Sequence, residues 1–393
     1  MKGKIKTAAV LLLALLCTGC MESKELKERT IIESVGIDKE DGELTVSMQQ
    51  FLPSSSPSSP SSSEGKGEKS DSLVVTKGRT ISEALDKVTH YKGNEVFLGN
   101  STFVVLGKGT AAKGINSFLS FFNSVHEVDP GIYIVISDTN AKDIIDSESN
   151  IPVTPSTQIE EIMQQGKKGG IVGKSTLMDV LQRMHSDGAS PYVPMVQTVK
   201  GENGQEQLKI AGTAIFKKDK LADVLSIEET KGLLWATNEI DHAVLVVAQK
   251  DIGRVSVEIQ DSRTKIKTEI VNGIPQFTVQ VKAQGRIQEV MQENGGGVTQ
   301  QQMKQVAQVT EQKIESIMRQ AVEKAMVKNQ CDVFRFSDFL KKYQPSYWKA
   351  NQKQWDEIMP QCQVRYQVEC AINRTGLEGV YGKNSKEKEG AGF

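Results

Sequence analysis

Apolar and polar residues alternate along much of this chain, and the period of the alternation changes with position. Leu44, Val46 and Met48 recur at every second residue, the pattern of a strand with one buried face. Ile31 to Ile37 supplies a partner strand across a turn at Asp38 to Gly42. Leu73 to Thr76 reads as a short strand. Thr80 is placed to cap a helix with apolar positions Ile81, Leu85 and Val88, and Glu83 stands at capping-box spacing. Phe103 to Leu106 and Ile132 to Ile136 are unbroken apolar runs of strand length, and Ile115 to Phe122 between them looks helical. Helices follow over Thr157 to Gln165 and Leu177 to His185, the second started by Ser175 or Thr176, and Pro191 and Pro194 end this region.

Gln207 to Phe216 is a long strand, Leu221 to Leu225 a shorter one, Ile227 to Trp235 a helix and Ala243 to Val247 a strand. From Arg254 the alternation becomes regular: Val255, Val257 and Ile259, then Ile266 and Thr268, then Phe277, Val279, Val281 and Ala283 beyond a turn at Asn272 to Pro275. That is an antiparallel meander. Thr299 with Gln302 opens a helix of about 30 residues, close to 45 Å at 1.5 Å per residue. Its apolar stripe is Met303, Ala307, Ile314, Ile317, Ala321 and Ala325. Trp348 and Trp355, seven apart, read as one face of a single later helix and as core rather than interaction surface. Val364, Tyr366, Val368, Cys370 and Ile372 form a closing strand.

Strands mixed with helices predict an α+β or α/β protein. The pattern divides into an N-terminal α/β domain at 31–198, a small middle domain at 199–252, and a C-terminal domain at 253–376 carrying the meander and the long helix. A polar, glycine-rich, disordered tail is expected at 377–393. Inside the first domain, 53–71 is a Ser/Pro-rich stretch that cannot bury apolar area and is expected to be a flexible loop.

The first twenty residues carry a different signal. Lys2, Lys4 and Lys6 precede an apolar run from Ala8 to Leu16, and Thr18, Gly19 and Cys20 follow. This is the layout of a signal peptide, 1–19, whose apolar run is too short to span a bilayer. Its end resembles a lipobox, with Cys17 where Leu is usual. The resemblance implies S-diacylglycerol and N-acyl attachment at Cys20, with 20–30 as the tether to the membrane lipid. Two acyl chains hold a protein at a bilayer where one barely does. Cleavage after Gly19 without acylation is the alternative. The remaining cysteines are Cys331, Cys362 and Cys370; the last two share one strand roughly 26 Å apart, too far to bridge. A net charge of −1 offers no basic excess for nucleic acid.

Catalytic patterns are sparse. His90, His126, His185 and His242 stand alone, with no HExxH and no paired CxxC, so no metal or cofactor is expected. Gly169-Gly170-Ile171-Val172-Gly173-Lys174-Ser175-Thr176 resembles a phosphate loop, but Lys168 stands where its first glycine belongs and a helix precedes it. A glycine turn before a capped helix is the plainer reading. Glu160-Glu161 and Glu228-Glu229 are adjacent on helices and diverge. There is no GxSxG elbow. The chain does not read as an enzyme.

Gly212-Thr213-Ala214-Ile215-Phe216-Lys217-Lys218-Asp219-Lys220-Leu221, followed by Leu225 and by Glu228-Glu229-Thr230-Lys231-Gly232-Leu233-Leu234-Trp235, resembles the signature of the Ger(x)C family, the C subunits of spore germinant receptors. Cys331-Asp332-Val333-Phe334, Tyr343 to Trp348, Trp355-Asp356-Glu357-Ile358 and Arg374-Thr375-Gly376-Leu377 fit the same pattern, as do Glu25-Leu26, Gly36-Ile37-Asp38-Lys39 and Thr80 to Leu85. Met21 stands where the family commonly has Trp, Ala222-Asp223 replace a usual glycine, and the Ser/Pro insertion is unusual. The resemblance implies three domains, each a mixed or antiparallel sheet flanked by helices. It implies a non-catalytic subunit on the outer surface of the spore inner membrane, working with membrane A and B subunits in the response to nutrients. The alternative is a lipid-anchored solute-binding protein of a transporter, which needs two lobes closing on a ligand.

Overall fold

The computed structural model describes residues 28–52, 73–147, 154–202, 204, 206–250, 252–291 and 298–373. The signal peptide, Cys20, most of the tether, the Ser/Pro-rich loop, Arg374 to Leu377 and the 377–393 tail lie outside the described residues. Two sheets organise the rest, and the architecture is the expected mixed α+β, with helices flanking the sheets.

The first sheet comprises β1 (Arg29–Glu40), β2 (Glu43–Gln50), β3 (Leu73–Gly78), β4 (Glu95–Phe97), β5 (Phe103–Gly107), β6 (Tyr133–Ser137), β7 (Tyr192–Lys200), β8 (Glu206–Lys217) and β9 (Lys220–Leu225). Its order is β3-β2-β1-β5-β6-β7-β8-β9, with β4 pairing beside the start of β1. The central neighbours β1, β5, β6 and β7 run parallel, and antiparallel hairpins finish both ends. Parallel strands are buried on both faces. Val104 and Leu106 of β5 therefore pack on one side with α1 (Ile81–Lys92), α2 (Lys108–Lys113) and α3 (Asn116–Ser124). Phe103 and Val105 pack on the other with α4 (Ala141–Ile145) and α5 (Pro155–Lys168). A further helix, α6 (Leu177–His185), covers the first side.

Two expectations here need correcting. Asp38 was expected in a turn; it lies within β1, and Asp41-Gly42 make the turn with φ of 44° and 85°. Two successive positive φ values match the twist of a tight hairpin. Pro191 and Pro194 were expected to end a region, yet Pro194 sits inside β7, opposite Thr213 of β8. The ladder to β6 begins only at Met195, beside a register shift, so Pro194 stands where that pairing has not yet started.

The second sheet is β10 (Ala243–Gln249), β11 (Gly253–Val271), β12 (Ile274–Met291) and β13 (Gln363–Asn373), in that order. The first three form the expected meander, turning at Asn272-Gly273, and β13 joins parallel to β12. The inward residues of β11 change parity, from Val255, Val257 and Ile259 to Ser262 and Ile266. A register shift between Ile259 and Asp261 is the bulge that makes the change. Residues 199–252 supply β8 and β9 to the first sheet and β10 to the second.

Two helices bind the second sheet to the first: α7 (Ile227–Ala236) and α8 (Gln300–Val322). The 30-residue helix expected from the sequence is 23 α-helical residues closed by a six-residue π-helical turn, Glu323–Lys328. Thr299 and Gln302 form its capping box. Gly232 lets α7 approach so closely that a Cβ there would lie 2.1 Å from the Ile317 carbonyl oxygen. The chain then runs through α9 (Phe336–Tyr343), α10 (Pro345–Asn351) and α11 (Trp355–Ile358). Trp348 and Trp355 thus occupy separate helices, divided by a 3-10 turn, rather than one helix face. Both are buried and meet edge to face, with ring centroids 5.7 Å apart.

Candidate functional site

The two sheets meet along a seam, and a buried carboxylate fixes it. Asp332 accepts backbone N–H bonds from Phe336 and Ser337, each 2.8 Å, and so caps α9. Its carbonyl oxygen accepts from Ser190 N at 3.0 Å, tying the helix to the loop before β7. Complete burial pushes the Asp332 carboxyl up to about 6, against the pull of those N–H donors. In that loop Gly188 has φ +83°, and a Cβ on it would meet the rings of Trp348 at 2.7 Å and Trp355 at 2.9 Å. Ser186 Oγ donates to Asp338 at 2.9 Å, which also pairs with Arg335 and Lys341.

Beside the seam opens a cleft of about 740 Å³, within the usual size range of ligand pockets. Its lining includes a charged cluster drawn from α6, β7 and the loop after α7. Arg183 leaves the apolar side of α6, next to Val180, and is 5% exposed. Its guanidinium donates to Lys174 O at 2.7 Å and to Tyr192 Oη at 2.8 Å, and lies 3.5 Å from Glu239. Tyr192 Oη donates to Glu239 Oε1 at 2.5 Å, while Glu239 Oε2 accepts Lys174 N at 2.8 Å. Burial first, and then the Glu239 charge, hold the Tyr192 phenol well above its usual 10. A phenol that resists ionisation and already donates to a carboxylate is a poor general base. The cluster is a buried ion network in which both Arg183 Nη atoms and the Tyr192 hydroxyl are engaged.

That network also decides the phosphate-loop resemblance. The segment follows α5, not a strand, and the Lys174 amide it would offer a phosphate is held by Glu239. Thr176 caps α6 with Asp179, as the plainer reading expected. Gly173 is packing: a Cβ there would press on Leu234 at 2.7 Å and Tyr192 at 2.8 Å. Among the described residues, no three His, Cys, Asp or Glu side chains gather as a metal site. Burial raises the thiols of Cys331, Cys362 and Cys370 to about 12, which makes them weak nucleophiles.

Cys20, the one site residue expected from the sequence, lies outside the described residues. Several described residues of the family pattern make contacts that hold the fold together. Gly212, φ +151°, lets Leu225 O approach to 2.0 Å of where its Cβ would stand. Thr230 Oγ1 donates to Thr213 Oγ1 at 3.0 Å, joining α7 to β8, and Trp235 Nε1 donates to Ser262 at 3.1 Å, joining α7 to β11. Asp38 caps α4 through Ala141 N at 2.8 Å and Lys142 N at 3.0 Å. Sequence reasoning did not find the Arg183–Tyr192–Glu239 cluster. One local signal was available: an arginine on the apolar stripe of an amphipathic helix.

Two family models match in succession: "Spore germination protein N-terminal domain" over residues 22–198 and "Spore germination B3/ GerAC like, C-terminal" over 211–376. The chain belongs to this family of spore germination proteins, as its signature residues led us to expect. It is 26% identical to spore germination protein B3 of Bacillus subtilis over 96% of this chain and 100% of that protein. It is 24% identical to spore germination protein KC of the same organism, over 94% of this chain and 95% of that one. Among solved structures, the crystal structure of the GerBC protein shares the fold, with a TM-score of 0.55 and 22% identity over 86% of this chain and 96% of the other. No helix among the described residues is long and apolar enough to cross a membrane.

Proposed function

We propose that this protein is the lipid-anchored C subunit of a nutrient germinant receptor, held at the outer surface of the spore inner membrane through Cys20. It acts with membrane A and B subunits to trigger germination and carries out no catalysis. The observation that carries this reading is the end-to-end likeness to germination protein B3, spanning 100% of that protein. The basic start, the short apolar run and Thr18-Gly19-Cys20 supply the anchoring half of the argument. The engaged donors of the Arg183–Tyr192–Glu239 network support a role without chemistry.

The solute-binding alternative gains nothing from the fold. Tyr192, Ile215 and Leu225 of the first sheet share one core with the inner residues of β10, β11 and β12. Two lobes fused through a common core have no hinge about which to close. Cys20→Ala tests the anchor. The variant is expected in the soluble fraction of spore extracts, with slowed germination on nutrients, and mass spectrometry of the native chain should find the Cys20 sulfur acylated. Full membrane retention of the variant, or an unmodified sulfur, removes the anchor from the proposal.

A further inference from the structure

The cleft beside the seam has an unbalanced wall. Three carboxylates line it, and each is engaged: Asp179 by Thr176, Glu239 by Tyr192, Asp338 by Arg335 and Lys341. Of the cations, Arg183 and Arg335 are paired. Lys174, Lys265, Lys267 and Lys342 also line the cleft, and none has a carboxylate partner among the described residues. The surplus is therefore positive, in a molecule whose formal net charge is −1. The lining also holds Phe339 and Tyr343, whose rings lie roughly parallel with centroids 6.3 Å apart; Tyr343 is 51% exposed, and Lys342 Nζ lies 5.0 Å from its ring centroid.

A second observation is independent of charge. β10 pairs with β11 only over Gly253 to Ile259, so beyond that point β11 presents a bare edge to the cleft. Two side chains stand in for the missing strand. Asn238 Oδ1 accepts Thr264 N at 2.6 Å, and Gln344 Nε2 donates to Thr268 O at 3.5 Å. Backbone groups of alternate residues point the same way along a strand edge. Ile266, between them, turns its N–H and C=O toward the same edge, and no described group takes either. An open backbone pair on a buried-side edge is a binding feature waiting for a partner.

We propose that this cleft binds a small amphipathic organic anion, a carboxylate or phosphate carried on an aromatic or short apolar body. The charged head takes the Ile266 N–H and the surplus lysines, and the apolar body lies on Phe339 and Tyr343. The site stands or falls separately from acylation of Cys20. Phosphate of this kind could come from a free solute or from a lipid headgroup, and the test separates them.

Phenyl phosphate is titrated into the full chain by calorimetry, with the amide of Ile266 followed in protein labelled with 15N-isoleucine. Saturable binding with a Kd on the order of 1 mM or tighter is expected, with a shift at Ile266, and inorganic phosphate at least ten-fold weaker. Lys265→Glu with Lys267→Glu should weaken phenyl phosphate at least ten-fold with Tm unchanged, whereas Lys282→Glu, outside the cleft, should not. Competition by phosphatidylglycerol vesicles, but not phosphatidylcholine vesicles, marks the source as a lipid headgroup; absence of competition marks it as a solute. No saturable binding of phenyl phosphate, or binding indifferent to the double substitution, overturns the site.

Discussion

The two sheets solve the same problem under different constraints. The first is covered on both faces, and its central strands are buried residue by residue: every position of Phe103–Gly107 is inaccessible. The second is covered on one face, and Gln363–Asn373 alternates exposed and sheltered positions along almost its whole length. A sandwiched strand needs apolar groups on both sides, so its sequence loses the two-residue period; a half-open strand keeps it. The open face then collects the charges, among them Lys265, Lys267, Lys282 and Glu369. The first sheet is specified by composition, the second by phase.

Substitutions can break this contrast at graded cost. Gly232→Ala should be the most damaging, because its Cβ would meet a backbone oxygen that cannot move aside. About 4 kcal/mol and a Tm drop on the order of 10 °C are expected. Gly107→Ala in the first sheet places its Cβ equally close to a side-chain oxygen of Asp38, which can yield only by giving up its bonds to the Ala141 and Lys142 amides, a loss smaller than displacing a helix backbone. It should cost clearly less, and the reverse order in thermal denaturation would falsify the distinction between backbone and side-chain obstacles. Trp348→Ala removes the ring that seats Gly188 across the seam and should cost about 3 kcal/mol.

Asp332→Asn comes next, at about 2 kcal/mol near pH 7, since an amide nitrogen would face one of two N–H groups. Its pH signature is more telling. The native carboxyl titrates near 6 and an unfolded one near 3.8, so between about pH 4 and 6 the folded state holds more protons. Stability should fall as pH rises through that window and level off above it. Asn at 332 should flatten the slope without abolishing it, because burial raises Asp38 in the same direction. An unchanged Tm profile between pH 4 and 6 rules out Asp332 as the source. The smallest effect belongs to the open face: Lys282 and Glu369 are 3.1 Å apart but both largely solvent-exposed, so Lys282→Ala should move stability by less than about 0.5 kcal/mol.

Much of the fold was legible because its signals are local. The caps at Thr80, Thr176 and Thr299 are read from residues three apart, and each is found where expected. The change of phase between Ile259 and Ile266 is visible in the sequence, although only the structure turns two short strands into one bulged strand. β7 escaped because prolines argue against strands, and nothing local announces that β6 leaves Pro194 unpaired. The cleft was legible only as one arginine on an apolar helix stripe: Arg183, Tyr192, Glu239 and Ile266 come from α6, β7, the loop after α7 and β11, and nothing local announces that these line one cavity. Even the paired tryptophans were assigned to core correctly for the wrong reason, since a helix break, not a shared face, brings them together.

The place of β1 carries one more consequence. The strand nearest the proposed anchor is not at an edge; it lies between β2 and β5, with registered partners on both sides. Tension entering at its first residue would load both ladders at once along their length, with the bonds sharing the force instead of parting one by one. A pull through the proposed anchor would thereby be carried by two ladders rather than one.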